Sequence, residues 1–137
     1  MNWKLILQMS LFGLIMAFGT VSLIPERTEF IYWVVIFVFC AFVIAKQCAT
    51  KQFLHGFWLS MVNSVWITFA HIYFYKTYAA KHPNVASMGA NMHFLASHPR
   101  LLMLILCPVF GAVFGLFQGL FALLVSRFVK SINTPVA

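Results

Sequence analysis

The sequence predicts an all-α fold: a four-helix transmembrane bundle with up-down-up-down topology and a short interfacial amphipathic helix between the third and fourth spans. Three observations predict it. The chain is 63% hydrophobic and only 8% charged, against about 25% charged residues in a soluble domain. Its apolar residues gather into four stretches, each long enough to cross or nearly cross about 30 Å of hydrocarbon at about 1.5 Å per helical residue. The links between the first three stretches are short, which makes sequence neighbours antiparallel. With 137 residues there is material for a single domain with little mass outside a bilayer.

The first span is expected over residues 5–24, flanked by Trp3 and Lys4. A base ahead of an apolar run also suits a signal peptide. This run is longer than a usual signal-peptide core and no A-x-A-like cleavage site follows it, so a retained helix is expected. The second span is expected over 30–46. Tyr32 and Trp33 stand at the aromatic-belt position at its start, and Lys46 can snorkel at its end. The hairpin before it, Pro25-Glu26-Arg27-Thr28-Glu29, holds both acidic residues of the chain. They lie where the positive end of a helix dipole favours them. No second titratable constellation is visible nearby, so a catalytic carboxylate pair is not expected there.

The third span, 53–76, carries most of the polar side chains at membrane depth. At 100° per residue, Ser60, Asn63, Ser64, Thr68, His71 and Tyr75 fall on one side, with Gly56 and Tyr78. Trp58, Val62, Val65, Trp66, Phe69 and Tyr73 fall on the other. An unpaired polar group facing hydrocarbon is costly, so the polar stripe should turn inward. His71 can be a ligand-binding or proton-handling residue, or an interior histidine bonded to Tyr75, a serine or a carbonyl. Asn63 needs partners across a helix interface, with Gln118, Ser10 or Thr20 as candidates. His55 sits near the start of the helix, at the edge of the same face.

A surface helix is expected over 84–97, where Val85, Met88, Met92 and Leu95 recur at helical spacing. His82-Pro83 and His98-Pro99 bound it. His82, His93 and His98, with the two methionines, are soft enough to suit copper or zinc. Their spacing matches no known ligand pattern, and His-Pro reads equally well as a helix boundary. Neither a metal nor a cofactor is therefore expected. The fourth span, 101–126, contains Pro108 and then Gly111, Gly115 and Gly119, a small-residue face shared with Gln118 and Ala122. Phe110, Phe114, Phe117 and Phe121 form the opposite stripe. The glycine face invites close helix packing, within the chain or between chains.

The net charge of +7 would suggest nucleic acid in a soluble protein. Here the bases stand singly at the ends of apolar runs, as headgroup anchors do, and nucleic acid is not an expected partner. The expected partners are the lipid bilayer and, through the glycine face, a second copy or another membrane subunit. Lys4, Lys46, Lys51, Arg127 and Lys130 lie on the side of the termini, against Arg27, Lys76, Lys81 and Arg100 opposite. This slight excess places the termini in the cytoplasm. Cys40, Cys48 and Cys107 show no metal or redox spacing and read as small buried hydrophobes. No acid or base lies well inside a span, whereas proton-coupled exporters usually need one. The first-span glutamate of small multidrug exporters is absent. So are the glycine- and threonine-rich motif of small fluoride channels, the helix signature of small membrane glutathione-transferase-like enzymes, and any P-loop, GxSxG or HExxH.

Lys51-Gln52-Phe53-Leu54-His55-Gly56-Phe57, the run from Asn63 to His71, His82-Pro83, and His98-Pro99-Arg100 leading into the glycine-spaced last span carry a resemblance. Across nearly the whole chain it resembles a group of small four-span bacterial inner-membrane proteins of unknown function. The resemblance implies four helices and a bacterial inner-membrane setting, and no activity. The expected role is a non-enzymatic binding or assembly protein that packs or oligomerises through the fourth-span glycine face. The alternatives are an oligomeric channel or carrier for a small neutral solute, lined by the third-span stripe, and a membrane enzyme or metal-binding protein using His71 and the His82/His93/His98 loop.

Overall fold

The computed structural model describes residues 1–91 and 97–132, and among them six helices. Helix α1 (Trp3–Ser22) starts where the Asn2 side chain accepts the Leu5 N–H at 3.1 Å, satisfying one of the unpaired amides of the first turn. It closes on Gly19, whose carbonyl takes the amides of both Leu23 and Ile24. Helix α2 (Glu26–Gln47) follows from Pro25, whose extended backbone leads directly into the first turn with its two acids. A tight turn through Lys51, the one described non-glycine residue with positive φ (59°), leads to α3 (Gln52–Tyr73). Gln52 steadies that turn by donating to the carbonyls of Cys48 and Ala49.

The third stretch does not run as one helix to residue 76. It breaks at Phe74 (φ −99°, ψ 29°) and resumes as α4 (Tyr75–Lys81). His82 ends α4 because Pro83 restricts the residue before it, and Pro83 then opens α5 (Pro83–Ala90) at the position where its missing N–H costs nothing. The expected surface helix over 84–97 thus has α5 at its start. Met92, His93 and Leu95 lie outside the described residues. Pro99 opens α6 in the same way, and α6 (Pro99–Ser126) passes through Pro108 without ending.

Helices α3 and α6 form the central and most extensive pair; α1 lies on α3, and α2 on α6. The contacts fix the directions. Gly119, Gly115 and Gly111 of α6 meet Phe53, Phe57 and Ser64 of α3 in turn, so these two helices are antiparallel. Thr20 meets His71 and Asn2 meets His55, so α1 runs parallel to α3. Gln118 reaches Phe37, and beyond α6 the Ile132 amide donates to the Lys46 carbonyl, so α2 runs parallel to α6. The four long helices therefore alternate up and down.

Helices α1, α2 and α6 are each long and apolar enough to cross a membrane, at 20, 22 and 28 residues. Helix α3 has the length, 22 residues, but its polar stripe makes it less apolar. The molecule is apolar outside and polar inside. Ile15 is 67% exposed, Phe30 72% and Phe69 62%, while Ser10, Thr20, Asn63, His71 and Gln118 are buried. Water would penalise such a surface and lipid would not, so this is the surface of an integral membrane protein.

The packing end of the bundle, near the termini, is closed by Ile6, Cys40, Ile44, Leu59 and Ala122, drawn from all four long helices. Glycine makes that closure possible. A Cβ on Gly56 would stand 2.6 Å from the Gln118 carbonyl oxygen, and one on Gly119 would stand 2.7 Å from the Phe53 ring. The sequence pattern singled out the α6 glycines for packing. Their partner surface proves to be α3 of the same chain, with Gly56 as the matching small residue, so this face is not open to a second copy. Gly56→Ala should cost about 1–3 kcal/mol through overpacking against backbone that cannot rotate aside. The lipid-facing control Phe117→Leu should stay within about 0.5 kcal/mol of wild type. Unfolding in mild detergent, followed by circular dichroism, measures both.

Candidate functional site

Above Gly111 the helices separate and enclose a cavity of about 640 Å³ between α2, α3 and α6, with α4 and α5 across its end. Its walls are mostly aromatic and aliphatic: Phe30, Trp33 and Phe37 from α2, Leu106, Phe110 and Phe114 from α6. Its polar lining comes mainly from two places. Ser60, Asn63, Ser64 and His71 project from the α3 stripe, and Glu26 and Glu29 from the first turns of α2.

Most of the stripe is internally bonded. Ser60 donates to the Gly111 carbonyl across the interface at 3.2 Å. Ser64 and Thr68 donate back to carbonyls of their own helix. Thr68 is buried and is not part of the cavity lining. Tyr75 lines the cavity from α4. Asn63 is different. It is 5% exposed, its Oδ1 has no hydrogen-bond partner, and no described residue bonds its amide nitrogen. The Oδ1 end fills the space beside Gly13 of α1 where a Cβ would be, a place for weak Cα–H···O contact. The other end of the planar amide is a hydrogen-bond donor, and the residue contributes to the cavity lining.

The expected pairing of Asn63 with Gln118 is not formed. Gln118 donates 3.1 Å to the Phe37 carbonyl on α2 instead, tying α6 to α2, and does not line the cavity. The other proposed partners are also taken. Ser10 accepts from the Trp66 indole at 3.3 Å, and Thr20 meets His71 at 3.0 Å. The Thr20 hydroxyl also lies 2.9 Å from the Met16 carbonyl; when it donates there, its oxygen accepts from His71 Nε2–H. His71 thus has Thr20 as its partner, rather than Tyr75, a serine or a carbonyl. His55 is a structural residue: its Nδ1–H donates to the Lys51 carbonyl and its Nε2 accepts the Asn2 amide, each at 2.8 Å, pinning the start of α1 to the start of α3.

Sequence reasoning missed the largest polar cluster. The rings of His71, Tyr78 and His82 stack in series, with centroids 3.8 Å and then 4.2 Å apart. At the far end His82, 0% exposed, brings Nε2 to 3.2 Å from Glu29 Oε2. The carboxylate lies off the line of a well-aligned hydrogen bond, and the pair is an ion pair only when the His82 ring is protonated. Glu29 Oε1 accepts the Trp33 indole N–H at 3.1 Å, and Glu26 accepts from Asn84 at 3.1 Å. Burial first, and then the Glu29 carboxylate, push the Tyr78 hydroxyl above its usual pKa, so it stays protonated. The acids assigned only to the helix dipole are therefore part of a titratable constellation. The signal was the four-residue spacing of Tyr78 and His82, which stacks rings on one helix face, at the end of the bundle that also holds both acids.

The three loop histidines are not brought together as ligands. His82 is buried against Glu29, His98 is exposed and bonded to Ser97 Oγ at 2.8 Å, and His93 lies outside the described residues. Among the described residues, no three His, Cys, Asp or Glu side chains are grouped to hold a metal ion. No protein-family model, curated protein or solved structure matches the chain.

The Asn63–Gly13 contact has a direct consequence. Gly13→Ala should push the Asn63 side chain from its place and cost about 1–3 kcal/mol. In an Asn63→Ala background the same change should cost at least about 1 kcal/mol less. A double-mutant cycle of unfolding in detergent tests this, and purely additive costs would contradict the contact.

Proposed function

We propose that the protein is a four-span integral membrane protein that binds, without chemical conversion, a small and mostly apolar molecule carrying a hydrogen-bond acceptor. The observation that carries this reading is the cavity of about 640 Å³ with apolar walls and, in its lining, a buried asparagine whose Oδ1 has no hydrogen-bond partner among the described residues and whose amide nitrogen none of them bonds. Its volume lies within the range of roughly 300–1,000 Å³ usual for small-molecule sites. A ligand carbonyl or ether oxygen facing Asn63 Nδ2 would give that amide nitrogen an acceptor. α3 counts as the fourth span in this reading because it has the length of α2 and lies between α1 and α6. The termini then share one side, the cytoplasm of a bacterial inner membrane.

Two alternatives have less support. The packed layer of Ile6, Ile44, Leu59 and Ala122 stands across the bundle at the packing end, which favours a pocket over a conduit. The nitrogens and oxygens that could do acid–base chemistry, on His71, His82 and Glu29, are engaged with one another or with Thr20 and Trp33, which favours binding over catalysis. Assembly with another subunit would need a surface other than the glycine face, which α3 covers.

Native mass spectrometry of the protein released from mild detergent should show a co-purifying small molecule. Val34→Trp or Leu106→Trp, which fill the cavity, should reduce its retention about tenfold or more, and Asn63→Leu by about tenfold, the equivalent of about 1.4 kcal/mol. Wild-type protein without a bound molecule, or retention unchanged by both tryptophans, would refute this reading.

A further inference from the structure

Helices α4 and α5 lie over the mouth of the cavity, contributing Tyr75, Tyr78, Ala79 and Val85 to its lining. Two side-chain contacts fasten them to α2, and each uses one of the only two acids in the chain: His82 on Glu29 and Asn84 on Glu26. The first can be examined by counting protons. His82 Nδ1 lies 3.1 Å from the Tyr78 carbonyl, which only accepts, so Nδ1 must carry a proton. His82 Nε2 lies 3.2 Å from Glu29 Oε2, which as a carboxylate also only accepts. A neutral imidazole has one N–H and cannot serve both neighbours. With Nδ1–H serving Tyr78, an unprotonated Nε2 lies 3.2 Å from a carboxylate oxygen, two electron-rich atoms at close range though not aligned as a hydrogen bond. One proton more than a neutral histidine and a carboxylate supply turns that close contact from repulsion to attraction.

We propose that α4 and α5 form a proton-dependent roof over the cavity, closed when the His82–Glu29 pair holds that additional proton and released when the proton leaves. The inference rests on the binding reading for its purpose, since the roof controls access to that cavity, but its mechanism depends only on the pair. Glu29 and Glu26 from α2, His71 from α3, Tyr78 from α4 and Cys107 from α6 are the titratable groups facing this cluster. Tyr78 holds its proton, and His71 is held through Thr20, so the His82–Glu29 pair is where the proton comes and goes. The proton is taken from water and returned to it. Because the closed roof binds one proton more than the open roof, closure is lost as pH rises, by linkage. By the same reciprocity, a ligand that favours the closed roof draws a proton in with it.

Glu29→Gln tests the count directly. A glutamine at 29 can accept from Trp33 through its oxygen and donate to His82 Nε2 through its nitrogen. A neutral His82 then satisfies the Tyr78 carbonyl through Nδ1–H, and no additional proton is needed. His82→Gln is the second arm, since it can still donate to Glu29 and has no imidazole to titrate. The readout is hydrogen–deuterium exchange of residues 75–85 in the full chain in mild detergent, corrected for the intrinsic pH dependence of amide exchange. Amides of α3 and α6 report that the bundle is folded. In wild type, protection of 75–85 should fall about tenfold or more between about pH 5 and pH 8, the range in which histidine ordinarily changes charge. In both variants it should change less than about twofold over the same range. A flat wild type, or a variant that loses protection as the wild type does, would overturn the proposal. Neither result depends on a bound molecule, so the roof can fail while the cavity still binds, and the cavity can prove empty while the roof still titrates.

Discussion

The close approach of α3 and α6 is the constraint on which the remaining structure depends. Where Gly56 faces the backbone of Gln118 and Gly119, there is no room for a Cβ. Packing of this kind stands in for the hydrophobic drive that lipid removes, since helices in a bilayer gain from close contact rather than from leaving water. The glycine series stops at Gly111. Further toward the start of α6 come Cys107, Leu106 and Met103, whose side chains hold the helices apart, and the cavity begins there. One sequence feature therefore specifies both a closed end and an open end. A glycine at 107 in place of cysteine would continue the series and extend the close contact into the space that is now empty.

Much of this was legible because membrane helices obey few rules. Four apolar runs, an inward polar stripe and a glycine face follow from hydrogen-bond cost and side-chain size, and each can be read from one segment at a time. Residues Val65, Phe69 and Tyr73, on the apolar side of the α3 wheel, are all exposed, whereas Ser60, Asn63, Ser64 and His71 are buried. What could not be read was which polar group meets which. The pairing of Asn63 with Gln118 was reasonable by depth, but Gln118 turns toward α2, and α1 presents Gly13 rather than a hydroxyl to Asn63. Pair identity depends on helix rotation and separation, and periodicity does not encode either. The break at Phe74 was hidden for a similar reason. No proline or glycine marks it, and the aromatic and β-branched residues on both sides are only middling helix formers, found in helices and breaks alike.

The buried polar atoms without hydrogen bonds fall into three different situations. Gln118 Oε1 is the second atom of an amide whose other end is well used, so its cost is part of a structural tie. His82 Nε2 is not aligned with a hydrogen-bond acceptor but lies against a carboxylate, and the charge on the ring decides whether that contact attracts or repels. Of these three atoms, Asn63 Oδ1 alone has neither a bonded partner atom in its own amide nor a charge beside it among the described residues, and Asn63 alone of the three residues lines the cavity. In a low-dielectric interior such differences are amplified, because an unmet polar group has no water to turn to.

α3 is the least lipid-compatible of the long helices and yet the most central, and these two facts explain each other. Its stripe carries Gln52, His55, Ser60, Asn63, Ser64, Thr68 and His71, so facing lipid on that side would leave several polar groups unmet. In the folded chain α1 receives His55, His71 and the Asn63 oxygen, and α6 receives Ser60. The apolar side that remains, with Val65 and Phe69, is the side exposed on the bundle surface. The polar side of α3 is thus covered by α1 and α6. α1 precedes α3 in synthesis and can receive the histidines as they enter. The cavity is then what remains above Gly111, where α6 carries side chains instead of glycine. Of the α3 side chains in its polar lining, Ser60 is met by α6, His71 by α1 and Ser64 by its own helix, which leaves the Asn63 amide nitrogen as the group still open to a further partner.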